Sequence, residues 1–391
     1  MGQVNLLYLN MQKVIVGMSG GVDSSVAAYL LREKGYEVEG LSFILWEKRR
    51  KADFGTCCSL QAVEEAAKTA KYIGIPHRIA DVKDNFVENV IEPFVNAYAA
   101  GLTPNPCILC NRFIKFPLLI KEAGKRNAEF IATGHYARVE PAPGTEQKAQ
   151  SKNNLLTLLK KGVDPRKDQS YFLYILNQEK LKKLLLPLGH YRKDEVREIA
   201  KDLKLPAVKR AESQEVCFVE DRNYFKFIEK LSPLAGKPGP ILDMTEKVIG
   251  THKGIHAYTI GQRKRLGIAH KKPLYVVKID VLKNAVYVGT QEDAKEREFY
   301  VEDLNWILQA PSENFKASVK VRSMMKGEPA TIFLETSYDL RAAGTEQKKY
   351  TSHEVVRLVF DEPQWAPASG QSAVFYKDDV VIGGGIIRIS S

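Results

Sequence analysis

Seven residues near the start of the chain combine small, flexible and polar side chains in an order suited to anion binding. They are residues 19–25, Ser-Gly-Gly-Val-Asp-Ser-Ser, and they follow the apolar run 14–18, which predicts a buried strand of a parallel sheet. Glycines permit a tight turn in which backbone N–H groups approach a ligand closely, and Asp23, Ser24 and Ser25 suit the first turn of a helix. A strand, a glycine turn and a helix N-terminus aim N–H dipoles at one point, so the segment predicts a phosphate site.

The residue pattern of this segment excludes two common phosphate-binding loops. It lacks the lysine of the GxxxxGK[ST] loop and the GxGxxG spacing of dinucleotide-binding folds. It resembles the SGGxDS pyrophosphate loop of the ATP pyrophosphatase superfamily, in which the loop holds the β and γ phosphates while a substrate atom is adenylylated. The alternative is an ordinary strand–turn–helix corner that binds nothing.

A second group of reactive residues is the cysteines. Residues 103–116, TPNPCILCNRFIKF, hold Cys107 and Cys110 in a constrained loop that is predicted to enter a helix near residue 114. A third thiol, Cys217, lies in the segment SQEVCFV. A thiol at a helix N-terminus or beside basic groups has a lowered pKa and becomes a nucleophile, and Cys110, followed closely by Arg112, fits that description. Cys57 and Cys58 are expected to be packed thiols.

The elements predicted around these residues alternate between strands and helices. Strands are expected at 37–45, 77–82, 130–139 and 155–161, and helices at 59–73, 85–100, 116–126, 178–186 and 193–203. Such alternation argues for a doubly wound parallel sheet with ligands beyond the carboxyl ends of its strands, where residues 133–136 also lie.

Beyond residue 236 the character of the sequence changes. Gly, Pro and β-branched residues dominate, and short strands are predicted at 275–279, 285–288, 317–321, 330–333, 354–360 and 372–376. The predicted fold is therefore an α/β, doubly wound parallel-sheet nucleotide domain (11–215), a small central domain (216–290) and a C-terminal all-β barrel (291–391).

Composition limits the class of protein. The chain has 391 residues, more than one hydrophobic core usually supports, and its 44% apolar and 27% charged content is ordinary for globular proteins. No apolar stretch approaches the length of a membrane span, and the first ten residues do not resemble a signal peptide, so a cytoplasmic location is expected; Met11 is an alternative start. The formal net charge of +11 suits a polyanionic partner.

Taken together, seven motifs resemble one family, the tRNA-specific 2-thiouridylases, from about residue 13 to the end. The motifs are GMSGGVDSS at 17–25, TPNPxxxCN at 103–111, ATGHYARV at 132–139, KDQSYFL at 167–173, the CF pair at 217–218, GQRKRLGI at 261–268 and GQSAVFY at 370–376. The resemblance implies an ATP-dependent sulfurtransferase that replaces the C2 oxygen of the wobble uridine with sulfur and releases AMP and pyrophosphate.

The resemblance also assigns roles to residues. It implies a catalytic nucleophile at Cys110 and a persulfide carrier at Cys217. The implied ATP contacts are Gly17, Met18, Ser19, Gly20, Gly21, Val22, Asp23, Ser24, Ser25, Phe43 and Gly134. The implied target-base and tRNA contacts are Asn105, Pro106, Cys107, His135, Lys167, Asp168, Gln169, Arg322, Ser323 and Gln371. Asp23, beside the pyrophosphate loop, is the expected carboxylate to orient Mg²⁺ on the phosphates. The implied partners are tRNAs for Lys, Glu and Gln and a sulfur donor, either a protein or inorganic sulfide, with no membrane.

One residue departs from the family pattern. Many members carry aspartate at the position of Cys107, and that acid would suit general-base or base-positioning work. Cys107, Cys110 and Cys217 could instead hold a [4Fe–4S] cluster with one iron open to hydrosulfide. A persulfide relay that ends in a Cys110–Cys217 disulfide, without metal, is the alternative, and the sequence leaves both open.

Two other functions compete with this interpretation. A different ATP-dependent synthetase or amidotransferase acting on a small molecule would share the phosphate loop, but it would not need the cysteine pair or the β-rich C-terminal third. A non-enzymatic, basic RNA-binding protein would leave the intact loop beside reactive thiols unexplained.

Overall fold

The computed structural model describes residues 11–46, 60–143, 156–209, 216–219, 224–232, 236–335, 337–340, 348–351 and 355–389. Cys57, Cys58 and the expected domain boundary at 215 lie outside these residues. The chain divides into two compact units: the first comprises Met1–Phe86, Asn111–Ser170 and Gln178–Phe218, and the second comprises Val87–Cys110, Tyr171–Asn177 and Val219–Ser391. Among the described residues, no helix is both long and apolar enough to span a membrane.

The strands of the described residues are numbered in chain order. They are β1 (Lys13–Gly17), β2 (Glu37–Ile44), β3 (His77–Asp81), β4 (Phe130–Ala132), β5 (Ala137–Pro141), β6 (Thr157–Lys161), β7 (Leu184–Leu185), β8 (Gly239–Leu242), β9 (Val248–His252), β10 (Tyr275–Asp280), β11 (Ala285–Gly289), β12 (Lys295–Trp306), β13 (Phe315–Lys320), β14 (Glu328–Leu334), β15 (Ser337–Leu340), β16 (Lys348–Thr351), β17 (Val355–Trp365), β18 (Ser372–Lys377) and β19 (Val380–Arg388).

The helices are numbered in the same way. They are α1 (Val22–Glu33), α2 (Leu60–Tyr72), α3 (Lys83–Phe86), α4 (Glu92–Ala99), α5 (Pro106–Leu109), α6 (Phe116–Lys125), α7 (Gln178–Leu181), α8 (Lys193–Asp202) and α9 (Tyr224–Leu231). Short 3₁₀ turns occupy Ser170–Leu173, Pro187–His190, Pro206–Lys209, Ile255–Ala257 and Glu292–Ala294.

The first unit is built on five parallel strands in the order β3-β2-β1-β4-β7. The central strand β1 is apolar and fully buried at Val14, Ile15 and Val16, as the continuous apolar run predicts for a strand covered on both faces. The order reverses between β1 and β4, which makes the carboxyl ends of these two strands the topological switch point where such sheets bind ligands. The predicted doubly wound sheet is confirmed.

Two predictions for this unit are wrong. The expected strand 130–139 is two strands, because β4 ends at Ala132 and β5 pairs antiparallel with β6. The expected helix 178–186 ends at Leu181, and β7 instead adds a parallel edge strand beside β4. Short apolar runs suit a strand or a helix equally, and here the partner strand decides.

Two helical segments contain a π-helical turn just before a proline, which the sequence does not predict. The expected helix 85–100 contains a π-helical turn at Val87–Ile91 just before Pro93, and a second π-helical turn at Cys110–Lys115 precedes Pro117. Proline has no N–H to donate to the carbonyl four residues earlier, and its ring crowds that carbonyl. The wider π turn relieves both problems, and the second such turn begins at Cys110.

The second unit contains a mixed four-stranded sheet and a closed barrel. The sheet has the order β10-β11-β8-β9, and Ile241, Val276, Val286 and Val288 are completely buried in its core. Six antiparallel strands in the order β12-β17-β14-β13-β18-β19 form the barrel, and the pairing of β12 with β19 closes it. Closure removes exposed strand edges, and the predicted C-terminal β-barrel is confirmed.

Candidate functional site

The predicted phosphate loop lies at the switch point, directly after β1. Gly20 has a φ of +75°, a conformation that favours glycine, and it allows the chain to reverse before α1 begins at Val22. The Ser24 hydroxyl accepts a hydrogen bond from the Ser19 N–H at 3.1 Å and donates to the Gly21 carbonyl at 3.2 Å, while Ser25 Oγ donates to the same carbonyl at 2.9 Å. These side chains hold the turn, so the N-terminus of α1 meets the carboxyl end of the sheet as the sequence predicts.

Gly134 forms the other wall of this loop. A Cβ built at Gly134 would lie 2.8 Å from the carbonyl carbon of Asp23 and from the Ser24 backbone nitrogen, so only glycine fits there. The segment after β4 therefore packs directly on the first turn of α1. Phe43, the remaining expected ATP contact, is half-buried near the end of β2.

His135 follows Gly134 and is held from two sides. Its Nδ1 is 2.8 Å from Thr133 Oγ1, and its ring stacks on Phe116 with centroids 6.0 Å apart. Desolvation of the ring, with the positive charge of Lys115, holds the pKa of His135 well below its usual range. The imidazole is therefore neutral at pH 7, with one nitrogen that donates and one that accepts a hydrogen bond.

The structure reveals a charged group that the sequence analysis missed. Lys193 Nζ lies 2.6 Å from Asp23 Oδ1 and 2.8 Å from Oδ2, and the Tyr136 hydroxyl donates to Oδ1 at 2.7 Å. Lys193 is buried, with an exposed fraction of 3%. We call Asp23, Tyr136 and Lys193 the switch-point cluster. A buried ammonium thus stands beside the predicted phosphate loop.

A signal for Lys193 existed in the helical period of α8. Lys193, Val196 and Ala200 are its buried residues, spaced three and then four apart, which puts all three on one face. A lysine in line with an apolar face is unusual on a surface helix. Its position is fixed further by Asp164, whose Oδ2 accepts from the Lys193 backbone N–H at 3.1 Å.

The loop 167–170 is anchored by its own polar side chains. Asp168 is buried, and its Oδ1 accepts from the backbone N–H groups of Gly162 at 3.1 Å and Ser170 at 3.0 Å. The backbone N–H of Tyr136 donates to the Gln169 side chain at 3.0 Å. Two expected tRNA contacts therefore shape this loop and connect it to the switch-point cluster, while Lys167 is half-buried on the same loop.

The thiols Cys107 and Cys110 lie on one helical turn. Asn105 Oδ1 accepts from the backbone N–H of Cys107 at 3.2 Å and of Ile108 at 3.4 Å, which caps α5, and Pro106 occupies its first turn. Cys107 and Cys110 are three residues apart, so they are neighbours on the helix surface. Cys107 is exposed and Cys110 is half-buried; both are thiols in the structure.

Cys217 belongs to the first unit, whereas Cys107 and Cys110 belong to the second. It is a half-buried thiol, and the neighbouring Phe218 ring packs edge-on against Phe86 with centroids 5.6 Å apart. Among the residues that the structure describes, no three His, Cys, Asp or Glu side chains are arranged to hold a metal ion.

Within the second unit, the loop before α5 is fastened to the barrel. The Thr103 N–H donates to the Ser369 carbonyl at 2.8 Å, and the Gln371 side chain donates to the Thr103 carbonyl at 3.0 Å. Gln371, expected to contact tRNA, thus lies beside the loop that carries Asn105. Arg322 is directed elsewhere: its Nη2 donates to the carbonyls of Ile260 at 2.9 Å and Ala366 at 2.8 Å, and Ser323 beside it is half-buried.

Family models match nearly the whole chain in three consecutive blocks. Residues 12–221 match a tRNA methyl transferase HUP domain, 226–290 a tRNA methyl transferase PRC-barrel domain, and 296–387 an aminomethyltransferase beta-barrel domain. The fold and the switch-point loop therefore define a three-part protein with an ATP-binding HUP domain.

Curated relatives identify the family. The chain is 44% identical over 380 residues to a tRNA-specific 2-thiouridylase MnmA 2 of Thermoanaerobacter sp. (strain X514), covering 96% of this chain and 98% of that protein. It is 42% identical over 386 residues to the tRNA-specific 2-thiouridylase MnmA of Clostridioides difficile (strain 630), covering 98% and 100%. The chain belongs to the tRNA-specific 2-thiouridylase family.

Proposed function

We propose that this protein adenylylates the C2 oxygen of the wobble uridine of tRNA with ATP and replaces it with sulfur, giving 2-thiouridine, AMP and pyrophosphate. The observation that carries the proposal is the pyrophosphate-type loop at the switch point of a chain that belongs to this family. An amide-like oxygen is a poor leaving group, and adenylylation converts it into AMP. The substrates we infer are tRNAs for Lys, Glu and Gln, in the cytoplasm.

The switch-point residues suit the binding of the ATP phosphates. The turn 19–21 and the first turn of α1 offer backbone N–H groups, and the helix N-terminus is positive. We infer that the ATP contacts are those expected from the family, residues 17–25 with Phe43 and Gly134. Lys193 adds a positive charge, which Asp23 holds beside the loop.

Mg²⁺ does not fit Asp23 in this arrangement. The Lys193 ammonium contacts both carboxylate oxygens of Asp23. It therefore occupies the position that a metal ion bound by these two oxygens would take. We therefore derive no step through Mg²⁺ at Asp23. The role that suits this carboxylate is to fix the Lys193 ammonium at the loop.

The thiols suit the sulfur-transfer half of the reaction. In the persulfide form, Cys217 carries a terminal sulfur, the Cys110 thiolate attacks the Cys217 Sγ, and the S–S bond of the persulfide breaks to release hydrosulfide. Hydrosulfide then attacks C2 and AMP leaves. The resulting Cys110–Cys217 disulfide needs two electrons from a thiol reductant before the next turnover.

Cys107 supports the second form of the reaction. Its sulfur is a helix neighbour of Cys110, a spacing that suits two ligands of one [4Fe–4S] cluster. This form requires Cys217 as the third ligand, although no three metal-binding side chains are grouped among the described residues. The cluster would supply an open iron that binds hydrosulfide. With aspartate replaced by Cys107, a carboxylate general base is absent from this position of the sequence.

We infer that tRNA contacts come from both units. Asn105, Pro106 and Cys107 form the capped turn expected to face the target base, and Gln371 lies beside that loop. The rest of the expected set is His135, Lys167, Asp168, Gln169, Ser323 and Arg322, the last of which also donates to the carbonyls of Ile260 and Ala366. We infer three functional domains: residues 11–215 bind the nucleotide, and residues 216–290 and 291–391 bind tRNA.

ATP–pyrophosphate exchange with and without tRNA tests the function. Exchange that requires tRNA, with 2-thiouridine found in the digested product by mass spectrometry, supports the proposal. Exchange stimulated by a small molecule instead of tRNA would identify the competing synthetase, and tRNA binding without any exchange would identify a non-enzymatic RNA-binding protein.

Cysteine variants prepared without oxygen separate the two sulfur mechanisms. If a cluster operates, Cys107→Ala, Cys110→Ala and Cys217→Ala each lose a brown chromophore holding about four irons. If the relay operates, Cys107→Ala retains most activity, iron chelators have no effect, and only the other two variants are inactive. Cys107→Asp is the matched variant, because it restores the acid common in the family.

A further inference from the structure

The central part of the second unit carries an uninterrupted excess of positive charge. Between residues 247 and 279 the sequence contains no Asp or Glu. It contains eight cationic side chains, Lys247, Lys253, Arg263, Lys264, Arg265, Lys271, Lys272 and Lys278. We define residues 263–272 as the basic loop. Its five Lys and Arg residues are exposed, and among the described residues none of them forms an ion pair.

Such a cluster is electrostatically unfavourable in isolation. Five like charges within ten residues repel one another. Elsewhere in this unit lysines pair with acids, as the exposed Lys283 does with Glu246 at 3.2 Å and the half-buried Lys295 does with Glu292 at 2.9 Å. A positive patch without acids is the electrostatic footprint of a polyanion-binding surface. Residues 263–268 of the loop belong to the family motif GQRKRLGI, which by itself implies no role for their cations.

The basic loop is a fixed scaffold. Leu266 is buried in the hydrophobic core of the central sheet, and it anchors the middle of the loop. The Gln262 side chain donates to the Lys264 carbonyl at 3.0 Å, and the Val276 N–H donates to the Gln262 carbonyl at 3.0 Å. These contacts hold the first half of the loop, so less conformational entropy is lost when Arg263, Lys264 and Arg265 bind a ligand.

Arg322 holds the start of this loop. Its two hydrogen bonds, to Ile260 and Ala366, tie the chain just before the basic loop to the end of the barrel strand β17. At Gly261, with a φ of +83°, a Cβ would lie 2.6 Å from the Ala366 Cβ, so the two segments touch. Desolvation lowers the pKa of Arg322, in keeping with a guanidinium that lies largely within the protein.

We propose that the basic loop binds the sugar-phosphate backbone of tRNA through Arg263, Lys264, Arg265, Lys271 and Lys272, and that Arg322 is a positioning residue for this loop. The identity of the polyanion as tRNA rests on the proposed function. Phosphate contacts fix position and carry no sequence information, so the loop strengthens the binding of every tRNA and does not select the anticodon.

The test is the salt dependence of tRNA binding. Affinity of a full-length transcribed tRNA is measured between 50 and about 300 mM KCl, without ATP or sulfur donor, for the wild type and for Arg263→Gln/Lys264→Gln/Arg265→Gln. The slope of log K against log salt is negative, and each lost phosphate contact reduces its magnitude by roughly 0.7–0.9. We therefore expect the triple variant to have a slope smaller in magnitude by about 2 to 3, and to bind roughly 100-fold more weakly near 0.1 M salt. Unchanged thermal unfolding verifies the fold of the variant.

The matched control removes the same charge elsewhere. Lys34→Gln/Lys71→Gln/Lys201→Gln neutralises three exposed lysines at the C-terminal ends of α1, α2 and α8, which lie at the edge of the sheet opposite the phosphate loop. We expect its affinity to change less than about threefold. If the loop variant and the control weaken tRNA binding equally, general net charge explains the effect and the inference is overturned.

Arg322→Gln tests the positioning role separately. Loss of a positioning residue weakens tRNA binding with the wild-type salt slope, and it speeds trypsin cleavage after Arg263 and Arg265 because the loop loosens. A slope lower by about 1 with unchanged cleavage would instead identify a direct phosphate contact at Arg322.

The outcomes also separate this inference from the proposed function. A wild type that binds tRNA with the expected slope but makes no 2-thiouridine overturns the proposed function and leaves the loop assignment standing. A wild type that does not bind tRNA overturns both. When thiolation is observed, the triple variant should raise KM for tRNA and keep kcat, since contacts to the phosphate backbone bind tRNA equally in the ground state and the transition state.

Discussion

The first unit has a charged cluster near each end of its parallel strands, at the carboxyl edge and toward the amino edge, and the two clusters differ in composition. At the carboxyl edge, the switch-point cluster pairs one carboxylate, Asp23, with one ammonium, Lys193. Toward the amino edge, Glu39 receives three cations: Arg78 Nε at 2.6 Å, Arg126 Nε at 3.0 Å and Lys13 Nζ at 3.4 Å. We call Lys13, Glu39, Arg78 and Arg126 the amino-edge cluster.

The two clusters differ in what their carboxylates face. The Glu39 side chain is buried, with 7% exposed, whereas that of Asp23 is 36% exposed beside an anion site. Burial alone would raise the pKa of Glu39, but hydrogen bonds from Arg78 and Lys13 and the charges of Lys13 and Arg126 outweigh it and hold its pKa below the usual range. The amino-edge cluster suits structural stabilisation, and the switch-point cluster suits ligand binding.

Lys193→Met is expected to have the largest effect, because it affects both folding and phosphate binding. It leaves the Asp23 carboxylate without its ammonium beside the anion site. The pair is only partly buried, because 36% of the Asp23 side chain is exposed, so its loss should lower the free energy of unfolding by about 1 to 3 kcal/mol, below the range for fully buried pairs. ATP affinity, measured by calorimetry, should fall by more than about 10-fold, since a positive charge is lost where phosphate binds.

The double variant Asp23→Asn/Lys193→Met is the control for stability. It removes both charges, so the free energy of unfolding should recover by at least about 1 kcal/mol while ATP affinity stays low. Wild-type ATP affinity in Lys193→Met would show that the cluster is purely structural and would remove the contrast between the two edges.

Glu39→Gln should have the next largest effect, confined to stability. Lys13 keeps Glu37 and Arg126 keeps Glu122 as ion-pair partners, and Arg78 is largely exposed. The local unfolding free energy should therefore fall by about 1 to 2 kcal/mol, less than for a buried pair whose remaining charge has no partner. Hydrogen exchange of the β1 and β2 amides measures the loss. ATP affinity should remain within about twofold of the wild type, and a tenfold change would contradict the division of roles.

The stabilisation by Glu39 should depend on pH. Its folded-state pKa is lowered from an ordinary value of 4.5, so the unfolded chain binds the proton more readily and Glu39 contributes its full stability above that value. The difference in stability between wild type and Glu39→Gln should be constant from pH 6 to 8 and shrink as pH falls below about 4.5. A difference that changes between pH 6 and 8 would implicate another group, such as a histidine.

Sequence reasoning identified the phosphate loop at the carboxyl edge and missed Lys193 beside it, for physical reasons. The phosphate loop is local: a strand, a glycine turn and a helix start lie within twelve residues of chain, so their types and order suffice. Lys193 is 170 residues from Asp23, and only the packing of α8 beside α1 brings it to the loop. Its buried face was readable from the helical period, but its partner was not.

The errors in secondary structure have the same origin. β7 consists of two leucines whose strand geometry depends on β4, and β5 depends on β6 across a polar stretch of sequence. The expectation that Arg322 contacts tRNA came from the family resemblance, which carries no information on the two carbonyls that its guanidinium contacts through tertiary packing. Motifs carry no information on which residues from distant parts of the chain each side chain contacts.

Tyr136→Phe should have the smallest effect and gives the sharpest comparison, because it removes one oxygen atom from the switch-point cluster. The Tyr136 hydroxyl donates to Asp23 Oδ1 at 2.7 Å, and its ring lies 5.7 Å from Lys193 Nζ. Phenylalanine keeps the ring and the Lys193–Asp23 pair, so only one hydrogen bond to a partly exposed carboxylate is lost, worth about 1 kcal/mol. ATP affinity should fall by about two- to fivefold, against more than tenfold for Lys193→Met, and unfolding by denaturant should report the same order. Equal losses in the two variants would mean that the orientation of Asp23, rather than the charge of Lys193, governs the phosphate site.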